Sequence, residues 1–219
     1  MTRDSRITRR EILAAADELF YGEGLRSVSV DEISAKAGIT KKTLYYHFRS
    51  KDELIAAYLE ARDRPTLERF QRWAGDEGAV AERLKRMFLR LGRCAKSPTW
   101  KGCGFIRATG ELANIPGHPA VRIARAHKAN FEKWLSDRLT AEGYRDCDAL
   151  ARGLMVVIDG AVTQMLLHRD PRYAQAASHA ACALLSYAPR TGHCKPPGRA
   201  NARPMTGSAK RSAPPRAEG

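Results

Sequence analysis

The sequence predicts an all-α chain of about nine helices, and three observations carry that expectation. Ser or Thr is followed three residues later by Glu at Thr8/Glu11, Ser29/Glu32 and Ser50/Glu53, each ahead of an apolar stripe; in such a box the hydroxyl and carboxylate each take a free amide of a helix start. Downstream, apolar residues recur at three- and four-residue spacing, and strand-like alternation is absent. Gly and Pro fall between these stripes, where helices would turn.

Taken in order, the first stripe is Ile12, Ala15, Ala16, Leu19 and Phe20, opened by Thr8 and closed by Gly22 and Gly24. Ser29 then starts a short helix with Val30, Ile33 and Ala37 on one face. Gly38 ends it in the left-handed conformation, Ile39 fills the corner, and Thr40 caps a second helix through Leu44 to Phe48. Two helices joined by a tight Gly-containing turn make a helix-turn-helix. Ser50 opens a fourth helix with Leu54, Ile55, Tyr58 and Leu59 inward; it is expected to end near Arg64, because the residue before Pro65 is driven out of helical geometry.

The remaining elements are helical by the same criteria. Val80, Leu84, Met87, Phe88 and Leu91 form a stripe that ends at Ser97-Pro98, residues 104–113 make a short helix, and residues 120–141 follow with Ala124, Phe131 and Leu135 inward. Cys147 to His168 reads as a largely buried helix rather than a membrane span, since Arg152, Asp159 and Gln164 interrupt it. Asp170-Pro171 supplies a cap and first-position Pro for a last helix through Ala188. Residues 1–62, 63–188 and 189–219 are thus read as a head, a larger helical body and a disordered basic tail.

The helix after Thr40 divides its residues by chemistry. Leu44 and Phe48 face inward, leaving Lys41, Lys42, Thr43, Tyr45, Tyr46 and His47 outside. Cations, a hydroxyl and hydrogen-bonding aromatics on one exposed helix suit phosphates and base edges in a DNA major groove; a solvated charged face is the plainer alternative. Net charge alone misleads here. Of the formal +14, residues 1–62 hold an excess of +1, residues 63–187 hold +7 and residues 188–219 hold +6. The head must therefore work by clustering: Arg3, Arg6, Arg9 and Arg10 lie at one end, and Lys36, Lys41, Lys42, Arg49 and Lys51 bracket the second helix.

Ser29-Val-Asp-Glu-Ile-Ser-Ala-Lys-Ala-Gly38, followed by Ile-Thr-Lys-Lys-Thr-Leu-Tyr-Tyr-His-Phe48 and Ser50-Lys-Asp-Glu-Leu54, resembles the N-terminal domain of the TetR family of bacterial transcriptional regulators. Lys42 stands where that family often has a small residue, which bears on base preference and not on the fold. The resemblance implies a homodimer whose last two long helices, here within Leu154 to Leu185, form the interface. It implies sequence-specific binding of a near-palindromic double-stranded DNA operator, and repression relieved by a small-molecule effector. Lys41, Lys42, Thr43 and Tyr45 are then expected at base edges, and Tyr46, His47, Lys51 and the helix start at Ser29 at the backbone. Gly102-Cys103 and Asn114-Ile-Pro-Gly-His-Pro119 also occur similarly in some members.

For the effector, Trp100, Cys103, Phe105, Glu111, His127, Trp134, Met155, Asp159 and Gln164 are candidate pocket residues, apolar walls with a few polar groups. His127 suits either a satisfied core histidine or a ligand contact, and the aromatics suit core packing equally. No catalytic signature is present: Lys101-Gly-Cys-Gly-Phe-Ile-Arg107 only begins like a dinucleotide loop, with Arg107 in place of the third Gly. No enzyme activity, cofactor or metal is expected. Five Cys without a C-x-x-C pair point to reduced thiols in a cytoplasm, with no membrane partner. Two further readings remain open at this level, a general basic DNA-binding protein without an effector and a thiol-based redox regulator using Cys94 or Cys103.

Overall fold

The computed structural model describes residues 3–191, with side chains from Thr8 onward. Among these residues lie nine helices: α1 Arg3–Glu23, α2 Val30–Lys36, α3 Lys41–His47, α4 Lys51–Ala74, α5 Val80–Cys94, α6 Gly104–Glu111, α7 Pro119–Ala141, α8 Cys147–His168 and α9 Arg172–Tyr187. The all-α expectation holds.

The caps explain where the head's helices begin. Ser29 Oγ accepts the Glu32 N–H at 3.2 Å while the Ser29 N–H donates to the Glu32 carboxylate at 2.6 Å. These bonds from Ser29 hold the Glu32 carboxyl below its ordinary pKa. Thr40 Oγ1 accepts from Thr43 N–H at 3.1 Å and Ser50 Oγ from Glu53 N–H at 3.1 Å. Gly38, at φ +67°, makes the turn between α2 and α3. Helices of seven residues do not persist alone; a cap contributes about 0.5–2 kcal/mol, and burying one Leu or Phe about 1.5–3 kcal/mol. Packing of Ile12, Phe20, Ile33, Leu44, Phe48 and Leu54, all almost wholly buried, therefore dominates.

Several boundaries differ from the sequence reading. α1 begins five residues before Thr8, so the Thr8/Glu11 box lies inside the helix. α4 does not stop at Arg64 but runs through Pro65 to Ala74, where Gly75 at φ +73° ends it. Proline removes one donor and disturbs the carbonyl four residues earlier; here Ala61 and Pro65 are both exposed, so water can satisfy that carbonyl. α7 starts at Pro119 under a cap by His118, whose Nδ1 accepts the Ala120 N–H at 3.1 Å. α9 starts one residue late, after Pro171, although Asp170 still accepts the Arg172 N–H at 2.9 Å.

Two cores result among the described residues, parting along α4 between Leu59 and Phe70, and the first draws residues from beyond α4 as well. The first joins α1 to the front half of α4 and also takes Phe105, Ala108 and Leu112 from α6 and its end, with Ala120 and Ala124 from α7. The second runs from Phe70 to Leu185. α8 is long and apolar enough to cross a membrane by composition, yet it sits in this core, burying Leu154, Met155, Ile158, Val162 and Met165.

The tail expectation is also corrected at its start. Arg145 N–H donates to Pro189 O at 2.9 Å, Thr191 N–H donates to Gly143 O at 2.7 Å, and the Arg190 guanidinium lies 4.1 Å from the Tyr144 ring centroid. Residues 189–191 therefore pair with the α7–α8 turn. The remainder, 192–219, lies outside the described residues.

Candidate nucleic-acid interface and internal cavity

α3 presents its outer face as its amphipathic pattern requires. Tyr45 is 43% and Tyr46 81% exposed, while Leu44 and Phe48 are fully buried. Lys42 is exposed and makes no ion pair among the described residues. Lys41 is partly committed, 3.1 Å from Asp31 on α2. Thr43 Oγ1 shares a hydrogen bond with Thr40 Oγ1 at 2.9 Å, and the Tyr46 and His47 rings meet edge-on at 5.3 Å. His47 Nδ1 is shielded and has no hydrogen-bond partner among the described residues.

Two expected contacts are already occupied in part. Ser29 is committed to its capping box, and Lys51 Nζ donates to Arg26 O at 3.4 Å. Burial pushes the Lys51 ammonium below its ordinary pKa, opposed by Asp52, Glu111 and Glu32. Lys36 pairs with Glu18 at 2.7 Å and Arg9 lies 4.8 Å from the Phe48 ring. The available positive charge around α3 is thus smaller than the residue count suggests.

A cavity of about 230 Å³ lies in the body, between α4, α5, α7, α8 and the segment leading into α6. It brings together six of the nine candidate residues: Trp100, Cys103, Phe105, His127, Met155 and Asp159. Three are elsewhere. Glu111 is at the far end of α6, seven residues and so roughly 10 Å along the axis from Gly104. Trp134, a turn beyond Phe131 on α7, packs edge-on against that ring at 5.4 Å outside the lining. Gln164 is on the exposed side of α8, in an open groove with Val156, Gly160 and Thr163.

Residues not expected at the pocket complete the walls: Tyr21, Arg62, Thr66, Arg69, Phe70, Trp73 and Lys128 among them, with Phe131, expected only as an inward residue of its helix. Most come from α4 beyond residue 61, at three- and four-residue intervals on one face, a signal hidden by ending that helix at Arg64. His127 is stacked on Phe105, centroids 3.7 Å apart and planes 9° from parallel, and its Nδ1 lies 2.6 Å from Asp63 Oδ1. Burial pushes the His127 imidazolium below its ordinary pKa, with Asp63 opposing. Arg62 pairs with Asp17 on α1 and lies 4.6 Å from the Tyr21 ring. Burial pushes the neighbouring Tyr58 hydroxyl up to about 12, so it remains a neutral phenol. Cys94 and Cys103 both reach the lining as half-buried free thiols.

The segment that walls the cavity also holds the head. Tyr21 Oη donates to Gly102 O at 3.1 Å and accepts from Lys101 N–H at 3.0 Å, and Arg107 Nη1 donates to Tyr21 O at 2.7 Å. At the far end of α6, Glu111 Oε2 accepts the Arg26 N–H at 3.0 Å.

Residues 12–58 match the family model described as bacterial regulatory proteins, tetR family. The chain is 34% identical over 180 residues to the transcriptional regulator TtgR of Pseudomonas putida, covering 74% of this chain and 82% of that one. To TtgW of the same organism it is 37% identical over 62 residues, spanning less than half, 46%, of that protein and 28% of this chain. Among solved structures, SCO4454 of Streptomyces coelicolor, a TetR-family transcriptional regulator, superposes with a TM-score of 0.72 at 32% identity, covering 82% of this chain and 94% of that one. With a capped helix-turn-helix at its head, a matching family model over it and likeness to two transcriptional regulators over 74% and 82% of its length, the chain belongs to the TetR family of DNA-binding transcriptional regulators.

Proposed function

We propose that the protein is a homodimeric, sequence-specific repressor that acts in the cytoplasm and leaves its operator when a small molecule occupies the internal cavity. The observation that carries this reading is the double attachment of residues 101–111, which wall the cavity at Cys103 and Phe105 and hydrogen-bond the head through Tyr21 and Arg26. A ligand that favours one placement of this segment shifts the head, and an equilibrium moves only by the difference in affinity between the two states.

Lys42, Thr43 and Tyr45 are assigned to base edges, Lys41 to a shared role with Asp31, and Tyr46, His47 and Lys51 to the DNA backbone. Dimerisation is assigned to α8 and α9, where Val156, Leu167, Leu184 and Tyr187 remain exposed in the single chain. Two recognition helices on such a dimer would occupy successive major grooves about 34 Å apart.

The test is selection of bound duplexes from a random library by the full-length protein. Recovery of a near-palindrome with half-sites one turn apart supports the reading. A pool without sequence preference would identify a general basic DNA-binding protein instead.

A further inference from the structure

Among the described residues, three cations line the cavity, Arg62, Arg69 and Lys128, against one carboxylate, Asp159. Arg62 is neutralised by Asp17, and Lys128 by Asp159 at 2.5 Å. Arg69 has no ion pair among the described residues. Its Nε is shielded from solvent without a hydrogen-bond partner, and its guanidinium lies 5.5 Å from the Trp73 ring centroid. A buried donor on a charged group is costly to leave unmatched, so this position calls for an acceptor that the described residues do not supply.

Much of the rest of the wall is aromatic or aliphatic, with Thr66, Ser97 and Thr99 among its hydroxyls. Phe70, Trp73, Trp100, Phe105 and Phe131 surround the space, with the neutral His127 ring stacked on Phe105. About 230 Å³ exceeds the roughly 150 Å³ that admits a benzene ring and falls below the roughly 300 Å³ at which sites for drug-sized molecules begin. The space suits one substituted ring. One unpaired cation matches one negative charge, and a guanidinium fork matches the two oxygens of a carboxylate.

We propose that the cavity binds a small monocyclic aromatic carboxylate, its ring among Phe70, Trp100 and Phe131 and its carboxylate accepting hydrogen bonds from Arg69. As a signal this rests on the effector reading above; as a binding site it does not.

Calorimetric titration of the full-length protein with benzoate and with benzamide, its neutral counterpart, tests the assignment. Benzoate is expected to bind about tenfold tighter than benzamide. Arg69→Gln is expected to remove that preference while leaving benzamide binding within about twofold, and Arg69→Lys to restore part of it. Absence of benzoate binding, equal affinity for both probes, or a preference that survives in Arg69→Gln overturns the proposal. The comparison on the unaltered protein needs no variant, so it stands even where Arg69→Gln fails to fold. Operator binding is measured alongside. Benzoate that binds with the expected preference yet leaves operator affinity unchanged overturns the effector reading alone; release by another compound, with benzoate not bound, overturns the ligand class alone.

Discussion

Glu111, on the last turn of α6, accepts the backbone N–H of Arg26 at 3.0 Å, three residues before the Ser29 cap of the helix-turn-helix. The bond ties the body to the head through main chain, so it senses the position of the loop itself. A net hydrogen bond contributes about 0.5–1.5 kcal/mol, hence Glu111→Ala is expected to raise amide exchange at Arg26 roughly tenfold while exchange in the α5–α9 core stays unchanged. Unchanged exchange at Arg26 would mean that the loop is held by its other bonds, that of Lys51 to Arg26 O among them.

On α3, the unpaired Lys42 and the exposed Tyr45 are expected to matter more than Lys41. Lys42→Ala and Tyr45→Ala each lose about 1–3 kcal/mol of operator affinity, concentrated at particular base pairs; Lys41→Ala loses less, since part of its interaction is already with Asp31. Fluorescence anisotropy on an operator and its single-base variants measures this. Uniform weakening across all variants would make them phosphate contacts.

Leu184→Glu is expected to yield monomers by sedimentation, with helix content retained. The two-fold axis would place the substitution twice in one interface, burying two carboxylates without partners. An intact dimer would move the interface away from α9.

His127 gives the fold a directional response to acid. Its folded pKa lies below the ordinary histidine value because burial disfavours the charged ring. The unfolded chain therefore takes up the proton first, so stability is full above about pH 6.5 and falls as pH drops below it toward the folded pKa. Thermal melts of the native protein and His127→Gln from pH 7.5 to 5 should converge as pH falls. Parallel curves would exclude His127 as the source.

Stopping the chain after Thr191 is expected to leave the melting temperature unchanged, whereas stopping after Tyr187 removes the bonds of Pro189 and Thr191 to the α7–α8 turn. Loss of about 1–2 kcal/mol corresponds to a few degrees in a chain of this size. Equal melting of both truncations would show that this pairing is marginal.

The head was legible in the sequence because its signals are local. Ser29, Thr40, Ser50 and Gly38 act within four residues of themselves, and the structure uses each in that way. The cavity was legible in part, since Trp100, Phe105 and His127 stand out as large or polar residues among helical stripes. Arg69, Phe70 and Trp73 were not, because reading them needed α4 to continue. Whether Pro65 stops a helix depends on water reaching Ala61 O, a property of tertiary placement. Glu111 was misplaced for the same kind of reason: a short helix carries its two ends to different surroundings, and spacing alone does not say which end faces the cavity.

The shared core around Phe105, Ala108, Leu112, Ala120 and Ala124 bears on how recognition modules can be exchanged between relatives. A graft cut at residue 62 would divide α4 in mid-span and leave the transplanted module facing foreign side chains from α6 and α7. Chimeras made there inherit a mismatched floor, and their faults would be mistaken for poor operator choice. A transplant that carries these five positions along with residues 1–62 keeps the module on its own foundation.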